Sequence, residues 1–150
     1  MNDLNKLRSA IQMIVRILNV LIRFVPSRYA AQLRRIISQL QNMLNRLETL
    51  DAIAGLSRDI DRVFQAAMAL NRLQPITAAN APEAARQFGI LLRLLGNLMN
   101  HLPAPLNTYG QLFEQENVSG FFSNLQRAMQ PHMGSSAEER RAMTLPPGRY

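Results

Sequence analysis

The segment 4–25 constrains this chain more than any other. At about 100° per residue, its polar side chains Asn5, Arg8, Ser9, Gln12, Arg16, Asn19 and Arg23 fall within an arc of roughly 100° on a helix. No large apolar residue of the segment enters that arc. The rest of the circumference is Leu, Ile, Val, Met and Phe, with Lys6 as the exception near the start. An ordinary surface helix has the opposite proportions, a narrow apolar stripe on a polar cylinder. Most of this cylinder must therefore leave water, and the chain has to supply a cover for it.

A second segment, 82–102, repeats the design. Arg86, Gly89, Arg93, Gly96, Asn97 and Asn100 share one arc, and the remainder is mainly Ala, Phe, Ile, Leu and Met. Gly89 and Gly96 on that stripe permit close backbone approach, as at helix crossings. Two such helices are hard to bury in a chain of 150 residues. The expectation is that sister copies or lipid cover them, in a ring-like homo-oligomer or a membrane-associated form. In a ring, the polar stripes would face a wet lumen. Gln12, Arg16, Asn19 and Arg23 on the first helix, with Arg86, Arg93, Asn97 and Asn100 on the second, are then lumen candidates. The alternative is a central bundle helix that shows water only its narrow stripe. A lone transmembrane helix is disfavoured. The thirteen large apolar residues of 4–25 return on the order of 6 kcal/mol, and Arg16 with the amides largely cancels it.

Apolar residues recur at three- and four-residue spacing almost throughout, and period-2 alternation is not sustained, so the fold class is all-α. Punctuation divides the chain into about four to six helices. The first covers 4–25, with Asp3 as its expected N-cap and Pro26 as its stop. The second covers 27–54 and the third 58–73, separated by a break at Gly55 and ended by Pro75. The fourth covers 82–102, with Pro82 in its first turn. Shorter helices are expected over 106–116 and 120–130, before Pro131. Residues 1–131 thus form a helical assembly domain, and 132–150, with Gly134, Pro146, Pro147 and Gly148, an extended tail. In the second helix Leu33, Ile36, Leu40, Met43, Leu47, Leu50 and Ala54 form a heptad-like seam, read as core.

Charge is unevenly placed. The chain carries 17 Lys+Arg and 10 Asp+Glu. Residues 1–47 hold eight of the basic residues and one acid, Asp3, whereas 48–150 hold nine of each. Such asymmetry suits an anionic partner. All the basic residues but Lys6 are Arg, the side chain suited to bidentate phosphate contacts. Arg28, Gln32, Arg35, Gln39, Asn42 and Arg46 form a row on one face of the second helix, about 27 Å long. Arg28, Arg35 and Arg46 are its candidate contacts to phosphate or to an anionic surface; a solvated helix face is the plain alternative.

Catalytic and cofactor chemistry find no foothold. Cysteine is absent, which excludes disulfides and thiolate metal sites. His101 and His132 are far apart, so no metal cluster is visible, and His101 belongs at a helix end where it complements the dipole. No phosphate-binding glycine loop, nucleophile elbow or zinc-protease pattern occurs. The acids Glu48, Asp51, Asp59 and Asp61 lie among Arg46, Arg58 and Arg62, and ion pairing is the expected use. Tyr109, Phe113, Phe121 and Phe122 read as a local core. No enzyme, cofactor or small-molecule substrate is expected. Arg16 interrupts the apolar run of the first helix and no small-x-small cleavage site follows, so a secretory leader is not expected.

The Arg/Asn/Gln-striped apolar helices 4–25 and 82–102, the lack of Cys and Trp and the Leu-Pro-Pro-Gly-Arg-Tyr end resemble small internal virion proteins of short-tailed phages. That resemblance implies a ring-forming protein, carried in the virion and ejected to build a conduit for DNA across the host envelope. No functional residue is carried over from it. Two readings follow: a non-enzymatic, self-assembling channel or conduit, or a helical-bundle module in the cytoplasm that binds nucleic acid or an acidic partner through its basic amino-terminal third.

Overall fold

In a computed structural model, which describes residues 2–50, 53 and 55–130, the chain is all-helical, and no strand occurs among the described residues. The helices are α1 (Asp3–Leu21), α2 (Ser27–Leu47), α3 (Ser57–Asn71), α4 (Ala81–Met99), α5 (Asn107–Gln115) and α6 (Val118–Met129). A single 3-10 turn, Ile22–Phe24, tightens the end of α1 before Pro26 reverses the chain. The boundary between 131 and 132, the tail 132–150, Asp51 and Ala54 lie outside the described residues.

Local chemistry sets the helix ends. Asn2, not Asp3, caps α1: its side-chain oxygen accepts from the Asn5 amide at 2.8 Å. Asp3 is the first helical residue, and its carboxylate accepts from the Ser57 hydroxyl at the start of α3. α2 stops at Leu47, seven residues before the sequence expectation. Arg8 of α1 donates to the Leu47 and Leu50 carbonyls at 3.0 and 3.4 Å, and Thr49 Oγ1 donates to the Arg46 carbonyl at 2.7 Å. These side chains join the Thr49 and Leu50 backbone amides, which donate to the Arg46 and Leu47 carbonyls, in satisfying the end of the helix. Gly55, at φ +81°, then adopts the left-handed backbone that glycine tolerates best.

α1 packs between α2 and α3, and α3 also packs on α4. α4 is covered on its remaining flanks by α5 and α6. On α1 the residues Leu7, Ile11, Ile14, Ile17, Leu18 and Leu21 are fully buried; on α4 so are Phe88, Leu91, Leu92, Leu95 and Met99. Each such side chain contributes about 1.5–3 kcal/mol by leaving water. The seam Leu33, Ile36, Leu40, Met43 and Leu47 is core as expected, and so are Tyr109, Phe113, Phe121 and Phe122. Among the described residues only Phe24 and Ile90 are large apolar side chains with substantial exposure, 36 % and 42 %.

One chain thus buries most of both apolar helices, which the sequence alone made hard to cover. α3 serves both. The short α5 and α6 suffice for α4 because glycine lets them lie against its backbone. A Cβ on Gly89 would stand 3.2 Å from Phe122 Cβ, and one on Gly96 would stand 3.5 Å from Phe113 Cδ2. Gly110 of α5 sits tighter still: a Cβ there would stand 2.6 Å from the Gly96 carbonyl oxygen. The glycines of the α4 stripe do mark helix crossings, and the crossing helices belong to the same chain.

This geometry separates two similar substitutions. Gly110→Ala drives a methyl group into backbone and should destabilise by about 1–3 kcal/mol. Gly96→Ala meets an ordinary contact distance and gains helix propensity, so its effect should lie between neutral and about 1 kcal/mol stabilising. Urea denaturation of both variants checks this; equal effects would contradict the packing described for α5.

Candidate polyanion-binding surface

The polar stripes reach water around a single copy of the chain. Gln12, Arg16, Asn19 and Arg23 are exposed along α1 and its 3-10 turn, and Arg86, Arg93, Asn97 and Asn100 are exposed along α4. The two stripes differ in charge. Arg86 is held by Glu83, with Nε to Oε1 at 2.9 Å and Nη2 to Oε2 at 2.7 Å, and Gln87 donates to the same carboxylate at 2.9 Å. The Arg86 guanidinium, then the Gln87 amide, pull the Glu83 carboxyl from its ordinary 4.5 to about 2. Asp59 and Glu114 line hollows beside Arg62 and Arg93. The neighbourhood of α4 is thus a balanced mixture of charges.

α1 and α2 are not balanced. The ten exposed residues of α2 are Ser27, Arg28, Ala31, Arg34, Arg35, Ser38, Gln41, Asn42, Asn45 and Arg46. None is acidic, and α2 contains no acidic residue at all. A solvated helix face commonly pairs Glu with Lys or Arg at four-residue spacing. This face offers only guanidinium, amide and hydroxyl groups along about 30 Å of helix.

The row Arg28, Arg35 and Arg46 divides on inspection. Its middle docks the α5–α6 junction. Gln32 Nε2 donates to the Glu116 carbonyl at 3.0 Å, Gln39 Nε2 to Glu116 Oε2 at 2.9 Å, and Arg35 Nε stands 3.5 Å from Glu116 Oε1. Arg35 thus serves the fold, although its side chain remains 60 % exposed. Arg28 and Arg46, at the two ends, are exposed. Lys6 is likewise engaged, with Asp61 of α3 at 3.3 Å, and Arg8 with the carbonyls that end α2. Among the described residues Arg16, Arg23, Arg28, Arg34 and Arg46 have no carboxylate within ion-pair distance.

Three contributors escaped sequence reading. Arg34 lies off the chosen row, yet the acid-free composition of α2 already implied that any of its outward arginines would serve. Glu116, and Arg127, which shares a surface hollow with Arg28, have no local signal, because only the tertiary fold brings α5 and α6 to α2. The acids near the Gly55 break pair differently from the expectation: Asp61 takes Lys6 rather than Arg58 or Arg62. His101 Nδ1 stands 2.9 Å from the Asn97 carbonyl, in keeping with its place at the end of α4. Among the described residues no group of three His, Cys, Asp or Glu side chains is placed to hold a metal ion.

The Glu83–Arg86 pair has a pH signature. A carboxyl whose pKa falls on folding contributes stability above its unfolded value, and that contribution is lost as pH falls from 4.5 through about 2. Both side chains are close to half exposed, so solvent screens the pair and keeps the gain small. Glu83→Gln should therefore lower stability slightly at pH 7 and converge with the wild type as pH falls from 4.5 toward about 2. Urea titrations across that range test it, and an unaltered acid profile would contradict the pairing.

In comparisons with known proteins, no family model matches the chain, and neither a curated protein nor a solved structure matches it.

Proposed function

We propose that this chain is a non-enzymatic nucleic-acid-binding module that grips the phosphate backbone through the exposed arginines of the α1–α2 hairpin. The observation that carries the reading is the outer face of α2, which exposes Arg28, Arg34, Arg35 and Arg46 and no acidic side chain. Arg16 and Arg23 extend the cationic surface onto α1. Guanidinium groups bind phosphate oxygens two at a time, and the amides Gln41, Asn42 and Asn45 add neutral hydrogen-bond donors between them. Such contacts position a backbone and carry no base sequence. The DNA contact implied by the resemblance to internal virion proteins is retained in this reading, without a ring.

The conduit reading asks more of the molecule. Apolar faces of α1 and α4 would have to leave α2, α3, α5 and α6 and meet lipid or sister copies. No helix among the described residues is long and apolar enough to cross a membrane.

Fluorescence anisotropy with a short labelled DNA duplex, over a range of NaCl concentrations, tests the proposal. Affinity should fall steeply with salt, with a log–log slope of about −0.9 for each phosphate contacted. Replacing Arg16, Arg34 and Arg46 together with Gln should make that slope shallower by about 0.9 for each of them that contacts a phosphate. Absence of duplex binding at low salt, or a triple variant with unaltered slope and affinity, would sink the proposal. Leakage from liposomes together with oligomers in mild detergent would favour the conduit instead.

A further inference from the structure

The fold brings one arginine of the charge-neutral part of the chain to the start of α2. Tyr29, in the first turn of α2, meets Phe121 of α6 edge-on with ring centroids 5.9 Å apart. Phe121 abuts Phe122 at 5.0 Å, and Phe122 stacks on the buried Phe88 of α4 at 5.9 Å. This aromatic chain fixes the separation of α2 from α6. Beside it lie two adjoining hollows of about 310 Å³ each, which share Arg28, Tyr29 and Asn124. Arg127 lines one hollow, and Gln32 and Glu116 line the other.

The cleft is cationic. The Arg28 guanidinium is seated over the Tyr29 ring, 4.9 Å from its centroid. Arg127 is braced from the other wall by a hydrogen bond to the Asn124 side-chain oxygen. The one carboxylate on these walls, Glu116, already accepts from Gln39 at 2.9 Å and faces Arg35 at 3.5 Å. Neither Arg28 nor Arg127 has a carboxylate within ion-pair distance among the described residues. Two guanidinium groups from α2 and α6 thus line one hollow, each held by a neighbour, a pairing suited to a phosphoryl group. Both hollows are shallow and open to solvent, and each is about as large as a single nucleotide unit requires. The amides of Gln32 and Asn124 offer donors and acceptors to its polar edges, and Tyr29 offers an aromatic wall.

We propose that this cleft takes one unpaired nucleotide of a DNA strand, its phosphate held by Arg28 and Arg127 and its base against the part of Tyr29 that Arg28 and Phe121 leave open. The inference rests on the nucleic-acid reading above and sharpens it: the module prefers single-stranded DNA, because a duplex keeps its bases stacked and presents none to the cleft.

The test compares a labelled thymidine oligonucleotide with the labelled duplex, using the full chain. The wild type should bind the oligonucleotide more tightly at equal salt. Arg127→Gln and, independently, Asn124→Asp should each weaken oligonucleotide binding about five- to tenfold while duplex affinity stays within about twofold. Both positions are exposed, and circular dichroism verifies that each variant retains its helices. If the variants weaken both ligands equally, or neither, the cleft is no nucleotide site, while salt-dependent duplex binding leaves the wider reading standing. If the wild type binds neither DNA, both proposals fall. Retention on phosphatidylglycerol vesicles that is lost in Arg127→Gln, with DNA binding unaltered, would overturn the proposal in favour of a lipid headgroup.

Discussion

Close approach at glycine is the contact on which this fold depends. α4 is apolar over most of its circumference, and the chain has only short helices left to cover it. Gly89 and Gly96 present bare backbone to α6 and α5, and Gly110 returns the same favour from the α5 side. Helices of nine and twelve residues then bring Phe113 and Phe122 against α4. With α3 shared between α1 and α4, every large apolar face except those of Phe24 and Ile90 finds a partner within the described residues.

That closure decides where the charges go. Once the apolar surfaces are internal, the narrow polar stripes of α1 and α4 become outer surface around one copy of the chain. The amino-terminal excess of arginine then sorts into two groups. Lys6, Arg8 and Arg35 tie α1 to α3, α1 to the end of α2, and α2 to the α5–α6 junction. Arg16, Arg23, Arg28, Arg34 and Arg46 remain turned outward without an acidic neighbour in ion-pair range among the described residues. The functional reading rests on this second group, and the cleft adds Arg127 to it through tertiary structure alone.

Much of the architecture was legible in the sequence. Pro26 and Pro82 lie at the first turns of the helices they punctuate and Pro75 follows α3 by four residues, because proline lacks the amide that a helix interior needs. Periodicity identified the buried seam Leu33–Leu47 of α2 and the exposed charged and amide positions of α1 and α4 from Gln12 to Arg23 and at Arg86, Arg93, Asn97 and Asn100. It could not say what buries a face: an apolar arc reads the same whether a sister copy, lipid or α5 lies against it. The expectation that outside partners cover these faces came from that gap. Gly89 and Gly96 signalled a crossing, and the crossing partners were hidden because α5 and α6 are short and weakly patterned. The early end of α2 and the docking of Glu116 depend on side chains from distant segments, Arg8 and Gln39, for which the local sequence carries no mark.

Sedimentation velocity of the purified protein, across protein concentration and with or without mild detergent, tests the central claim most directly. If one chain covers its own apolar helices, a single species of 17.0 kDa persists under all these conditions. Oligomers that dissociate only on unfolding, or that assemble when detergent is added, would contradict the account.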